Sequence, residues 1–433
     1  MILQQLDLRG RSDSIAALLP RRDGIGEEVR DAVSKIIARV RAEGDFALRE
    51  LTKNYDHAEI DDIRVGHSEI EDAYGRVSQE LRDALEVAYR RISEYHADRN
   101  PVHRAFESDG VTVRHQRQPV ERAGCYAPGG LARYPSTVLM CAAPAQVAGV
   151  NEIALCVPPN SNGQIDDATL AAAYTCGVDE VYRVGGAQAI AAMAYGTNSI
   201  PRVDVIAGPG NLYVAEAKRQ VSGVVGIAAG FAGPSEIVVI ADSKTPPELA
   251  AIDLVVQAEH GPNGIAWLVT WSQELAGQVD AEIERLLSVS KRSTELGSTL
   301  SSGGYICLVD SPTEAIEVAN CVAPEHLQIM LEDDLALELL TLVRAAGAVF
   351  LGYNAPASFG DYLAGPNHIL PTNGTARFAS SLRTEDFETH FHAVSLNASA
   401  LDLLGPYVIE LARTEGLLAH AESIELRLKK AKS

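Results

Sequence analysis

From about Gly149 onward the chain alternates between two patterns. Short, almost uninterrupted apolar runs (153–157, 181–184, 203–207, 237–241, 265–270, 305–309 and 348–351) are separated by stretches of helical character, such as 187–195, 212–221 and 247–259. A strand apolar at every position has both faces buried, and that requires a parallel sheet covered by helices on each side. This many units over about 200 residues fit an α/β chain of two Rossmann-like parallel-sheet domains better than one continuous sheet.

The flanks read differently. The first hundred residues carry helical stripes: Val29, Val33, Ile36, Ile37 and Val40 form one, and Val77, Leu81, Leu85, Ala88, Ile92 and Tyr95 form another, which Pro101 ends. After Gly374 strand signals fade, and 381–433 reads as a mostly helical, highly charged tail that packs on its own body or reaches to a partner.

Bulk properties narrow the function. A net charge of −21 argues against a nucleic-acid or anionic-membrane surface. No window approaches a membrane-spanning length of apolar residues, and the N-terminus lacks the pattern of an export signal. None of the six cysteines forms a C-x-x-C pair, and their neighbours are apolar, as expected of buried free thiols in a reducing cytoplasm.

Several segments have the makings of a site. Gln257 and His260, in Gln257-Ala258-Glu259-His260-Gly261, share a face at the end of a helical stretch and supply an amide oxygen and an imidazole, half of a borderline metal site. Three glycine-rich turns, 126–130, 184–188 and 207–211, adjoin candidate strands. The last two open helices, where backbone N–H groups face an anion such as a dinucleotide pyrophosphate, although none matches G-x-G-x-x-G. Ser235 precedes a strand in a Gly-Pro turn. Pro324-Glu325-His326 reads either as an ordinary helix N-terminus or as a carboxylate and imidazole suited to proton transfer. Asp361 lies in a glycine-flanked loop after a strand, where sites gather at the carboxyl edge of parallel sheets. Glu415 and His420 lie in the tail. No spacing rule alone joins Gln257, His260, Asp361 and His420.

Taken together, these segments resemble the histidinol dehydrogenase family. The resemblance runs from about Val29 to Arg427, through collinear blocks that include 41–45, 126–130, 185–192, 208–220, 233–242, 257–261, 323–327, 360–372 and 415–420. It implies a zinc- and NAD-dependent enzyme that oxidises a primary alcohol through an aldehyde to a carboxylate with two NAD⁺. Gln257, His260, Asp361 and His420 would be the zinc ligands, and zinc would chiefly hold the substrate. Glu325 and His326 would be the catalytic pair, with His326 the base and Glu325 activating water. Tyr126, Gln188 and Asn211 would contact NAD, and Ser235 and Glu415 the substrate, alongside His326 and the zinc ligands. The tail would cross a homodimer, so that Glu415 and His420 complete the partner's site. In domain terms, 22–125 with 234–380 would form the first Rossmann-like domain, 126–233 the second, and 1–21 with 381–433 helical arms. Segment 226–231 departs from the family pattern, as do Arg133, Arg383 and His390. Added cations raise the alternative of an anionic alcohol, such as a sulfonated propanediol, on the same scaffold.

Overall fold

A computed structural model describes residues 2–11, 14–20, 26–98, 105–129, 133–229, 233–259, 261 and 263–431. The chain opens with β1 (Gln4–Asp7) and α1 (Ile15–Leu18), followed by α2 (Glu27–Glu43), α3 (Asp45–Tyr55), α4 (His67–Arg76) and α5 (Gln79–Ala97). Strands β2 (Ala105–Ser108), β3 (Val111–Pro119) and β4 (Arg122–Tyr126) come next. Then follow α6 (Pro135–Ala148), β5 (Glu152–Cys156), α7 (Asp167–Thr175), β6 (Glu180–Tyr182), α8 (Gly186–Tyr195), β7 (Val205–Ala207), α9 (Leu212–Val221) and β8 (Gly226–Ile227). A second series holds β9 (Glu236–Ala241), α10 (Pro247–Ala258), β10 (Ile265–Thr270), α11 (Gln273–Val289), α12 (Ser293–Gly303), β11 (Gly304–Leu308), α13 (Pro312–Val322), β12 (His326–Met330), α14 (Asp333–Leu340), β13 (Ala348–Leu351) and α15 (Ala357–Tyr362). The chain closes with β14 (Glu388–Leu396), α16 (Ala398–Thr414) and α17 (Leu418–Ala431).

Residues up to Ala97 and from Val120 to Phe387 form one compact unit with two parallel sheets. The first runs β1-β11-β10-β9-β12-β13. Its strands are buried on both faces: Ile237, Val239 and Leu268 pack under α10, α11 and α12, while Val238, Ile240 and Leu327 pack under α13 and α14. The second sheet runs β6-β5-β4-β7-β8, between α4–α7 on one face and α2, α3, α8 and α9 on the other. Helix α6 is apolar all round, with Val138 to Ala145 buried, as befits a helix enclosed by sheet and helices. At the amino edge of this sheet the nearly buried Arg122 forks between Glu152, at 2.7 Å, and Glu180.

These two sheets are the expected Rossmann-like halves, but segments are shared out differently from the expected boundaries. The stripe of α2 packs on α8 and α9, and α4 and α5 pack on α6 and α7. Helices 27–97 therefore belong with the second sheet, as does β4, and the 22–125 segment does not join 234–380. Residues 4–7 are not a helical arm: β1 pairs in parallel with β11 and extends the first sheet.

The second unit comprises 98–119 and 388–433. The tail is mostly helical, as expected, but it also contributes a strand. Strand β14 pairs antiparallel with all nine residues of β3, and β2 completes a three-stranded sheet. Helices α16 and α17 pack as a hairpin, with Gly405 of α16 lying against Ile424 and Leu428. Among the described residues, no helix is long and apolar enough to cross a membrane.

Candidate active site

Helix α13 ends at Val322 on a left-handed Ala323, φ 48°, and Pro324 and Glu325 lead straight into β12. Pro324-Glu325-His326 is thus a helix exit into a central strand, not a helix N-terminus. Gly347 N–H donates to the Pro324 carbonyl and Ala348 N–H to that of Glu325, both at 2.9 Å. A Cβ at Gly347 would stand 2.6 Å from the Glu325 carbonyl, so this close approach requires glycine.

Glu325 is 8% exposed, and one carboxylate oxygen accepts from both the Ser235 hydroxyl and the Glu236 N–H, the latter at 3.1 Å. His326, the first residue of β12, is 4% exposed and stacks on Phe350. Its Nδ1 lies 3.7 Å from Glu325 Oε2 and its Nε2 lies 3.4 Å from Asp361 Oδ1. Burial pulls the imidazole pKa down, but Glu325, Asp361 and the Glu236 backbone outweigh it and push it up to about 9. An imidazole held between two carboxylates is a strengthened base.

The set stands at the amino edge of the first sheet, because β9 and β12 begin there. This corrects the expectation of a carboxyl-edge site at Asp361. After β13, α15 runs back along the strand, with Gly360 so close to Phe350 that a Cβ would lie 2.5 Å from its ring, and delivers Asp361 to the opposite edge.

Gln257 lies in the last turn of α10, 3% exposed, and its amide nitrogen has no partner among the described residues. One turn back, Asp253 is buried beside Gln328, which lies two residues beyond His326 on the same strand face. Burial raises the Asp253 pKa, a rise that the neighbouring Gln328 offsets only in part. Sequence reading passed over both residues; a charged residue at i−4 from Gln257 was the only clue. Helix α15 meets the end of α10: Tyr362, its pKa raised first by burial, also feels Asp361 and Glu259. His260 lies outside the described residues. Glu415, the C-cap of α16, and His420, in the first turn of α17, belong to the second unit and are exposed. Accordingly, no group of three or more His, Cys, Asp or Glu suited to a metal occurs among the described residues.

His368, which sequence reading left without a role, supports Asp361. Its Nδ1 faces the Asp361 carbonyl at 2.8 Å and its Nε2 the Thr137 hydroxyl of α6 at 3.3 Å. The carbonyl can only accept, so Nδ1 carries the proton and Nε2 receives the hydroxyl. Asn367 beside it donates to the Met140 carbonyl at 2.6 Å.

The coenzyme candidates gather elsewhere, at the carboxyl edge of the second sheet. Its strand order reverses between β4 and β7, and the crevice at such a point is where doubly wound sheets take nucleotides. Tyr126 ends β4, and its buried hydroxyl accepts from Gly186 N–H at 3.1 Å. Gln188 is buried in the first turn of α8. Gly208 follows β7, and Asn211 caps α9 by accepting from Tyr213 and Val214 N–H at 3.0 and 3.1 Å. Arg133 is exposed and paired with Asp166 at 2.9 Å, and Arg383 is also exposed. His390 sits in β14 of the second unit.

The family model for histidinol dehydrogenase matches residues 19–428. The chain belongs to the histidinol dehydrogenase family. It is 46% identical over 432 residues to a histidinol dehydrogenase of Thermosynechococcus vestitus, with 99% of each chain covered. It is 43% identical to one of Gluconobacter oxydans, over 97% of this chain and 98% of the other. A crystal structure of histidinol dehydrogenase from Elizabethkingia anophelis matches with a TM-score of 0.94 at 35% identity, covering 100% of this chain and 99% of that one. As a member of the histidinol dehydrogenase family, this chain is an NAD-dependent oxidoreductase.

Proposed function

We propose that the enzyme oxidises L-histidinol through L-histidinal to L-histidine, using two NAD⁺ and one zinc ion per site. The observation that carries the reading is the buried pairing of Glu325 with His326, with Asp361 against the far side of the imidazole. When bound, NAD⁺ accepts hydride in each oxidation and zinc orients the substrate's nitrogens. His326 takes the alcohol proton, its basicity raised by the carboxylates on either side. Glu325, held by Ser235 and Glu236, takes a proton from the water that adds to the aldehyde. Ser235 stands where the substrate's polar end meets Glu325.

The residues suit zinc. Gln257 offers a buried amide whose nitrogen has no partner among the described residues, and Asp361 adds a carboxylate on α15. With the imidazoles of His260 and His420 the donors would be two oxygens and two nitrogens, a zinc-compatible set. Tyr126, Gln188 and Asn211 would hold NAD in the crevice between β4 and β7.

We further infer a homodimer in which Glu415 and His420 complete the partner's site. Support comes from the second unit, where Leu403, Tyr407, Leu411 and Leu418 are exposed, Leu418 at 70%. Six free cysteines fit a reducing, cytoplasmic setting.

Purified, zinc-loaded enzyme given L-histidinol and NAD⁺ should form L-histidine with about two NADH per product, the stoichiometry of a four-electron oxidation. Absence of histidine, or a stoichiometry of one, would refute the reading.

A further inference from the structure

Lys218 is among the largest fully buried side chains of the molecule, 1% exposed on α9. Its Nζ donates to the carbonyl of Gly208. No carboxylate pairs with it among the described residues, and burial pulls its pKa down to about 8. A position needed only to fill space would carry leucine or methionine, since a buried cation loses its hydration.

The carbonyl it grips belongs to the turn at the coenzyme crevice. Gly208 has φ +116°, and a Cβ there would stand 2.0 Å from the Tyr126 carbonyl oxygen, so the turn is pressed directly against the end of β4. Tyr126 in turn receives the Gly186 N–H. Lys218 lies seven residues beyond the Asn211 cap, two helical turns along the same face of α9. Lys218 thus holds the turn after β7, which packs against the end of β4, where the Tyr126 hydroxyl meets the turn before α8.

We infer that Lys218 is the positioning residue of the coenzyme crevice. It clamps Gly208 from beneath, so that the 208–211 backbone and the α9 N-terminus face an incoming diphosphate. It also places a buried positive charge under that anion. Being shielded, it acts through the turn and does not touch the coenzyme. The inference rests on the assignment of the crevice between β4 and β7 to NAD.

The test is Lys218→Met, which keeps the volume and removes the donor and the charge. Calorimetric titration should show NAD⁺ binding weakened by about tenfold or more, the worth of one charge-assisted hydrogen bond. KM for NAD⁺ should rise in parallel, while KM for the alcohol stays within about twofold, a split that a general loss of structure would not produce. Lys218→Gln, which retains a neutral donor, should fall between the two and serves in place of Lys218→Met if that variant does not fold. Tyr126→Phe and Asn211→Ala are measured alongside. If they weaken NAD⁺ binding and the Lys218 variants do not, the inference is overturned and the crevice stands. If none of the variants changes NAD⁺ binding, the crevice assignment itself fails, and the inference with it.

Discussion

Replacing Glu325 with glutamine tests the division of labour between the two catalytic side chains. The amide fits the same space and can turn its oxygen toward the Ser235 hydroxyl and the Glu236 N–H, the donors the carboxylate now satisfies. Two charge-assisted bonds become neutral ones, at a loss of about 1 kcal/mol each. Removing a buried carboxylate offsets part of that, so thermal stability should change little. The chemistry should change far more. An amide cannot accept a proton, and loss of a general base slows a step by about 10²- to 10⁴-fold, equivalent to about 3–5 kcal/mol of barrier. The penalty should fall on aldehyde hydration, because His326 still faces Asp361 and retains its role in alcohol oxidation. Rapid-quench measurement with the alcohol and NAD⁺ should show a first NADH within about tenfold of the wild-type rate and a second slowed by the full factor. A Glu325→Gln enzyme that forms two NADH at the wild-type rate, or that loses both steps equally, would refute the reasoning.

Three further outcomes follow from other parts of the structure. Gln257→Ala should weaken zinc retention by more than about tenfold, because it removes a buried donor while leaving α10 intact; chelator competition measures this, and unchanged zinc affinity would remove Gln257 from the ligand set. Arg122→Met should destabilise the protein by about 2 kcal/mol, leaving the half-buried Glu180 without its cation; denaturant unfolding that matches the wild type would contradict it. Burial holds the Asp56 carboxyl at about 6, above its ordinary 3.8, so the folded protein binds the proton more tightly than the unfolded chain and loses stability as pH rises from about 4 to about 6. Asp56→Asn should therefore melt higher than wild type at pH 8 and alike below pH 4, and equal melting temperatures at both would show that Asp56 is not strained.

Much of the α/β core was legible because strands such as β9 and β10 are apolar at every position, and that pattern has one physical explanation. Two central strands escaped the same reading. Strand β12 follows Pro324-Glu325 and opens on His326, and β4 contains Arg122 and Gly124; their polar residues are buried by neighbours the sequence does not display. Strand β14 was hidden for the opposite reason, since nearly all its residues are exposed and no apolar face marks it. At the site, residue types could be recognised from local motifs, but the edge on which they meet depends on α15 reversing along β13. Lys218 shows the limit most clearly: a lysine on an amphipathic helix is ordinarily a surface residue, and only the fold reveals that it points inward.

The bridge through His368 bears on how such an enzyme can be rebuilt. Asp361 is anchored, through one imidazole, to the first turn of a helix that belongs to the other sheet, and Asn367 adds a second tie to the same helix. Exchange of the coenzyme half between relatives therefore cannot take 126–233 as its module. A chimera that brings in a foreign α6 without a matching 363–387 would meet the acid-bearing turn with mispaired hydrogen bonds. The natural cassette comprises helices 27–97, segment 120–229 and the strap 363–387. Three stretches distant in the gene must then be inherited together for the alcohol side to keep its geometry.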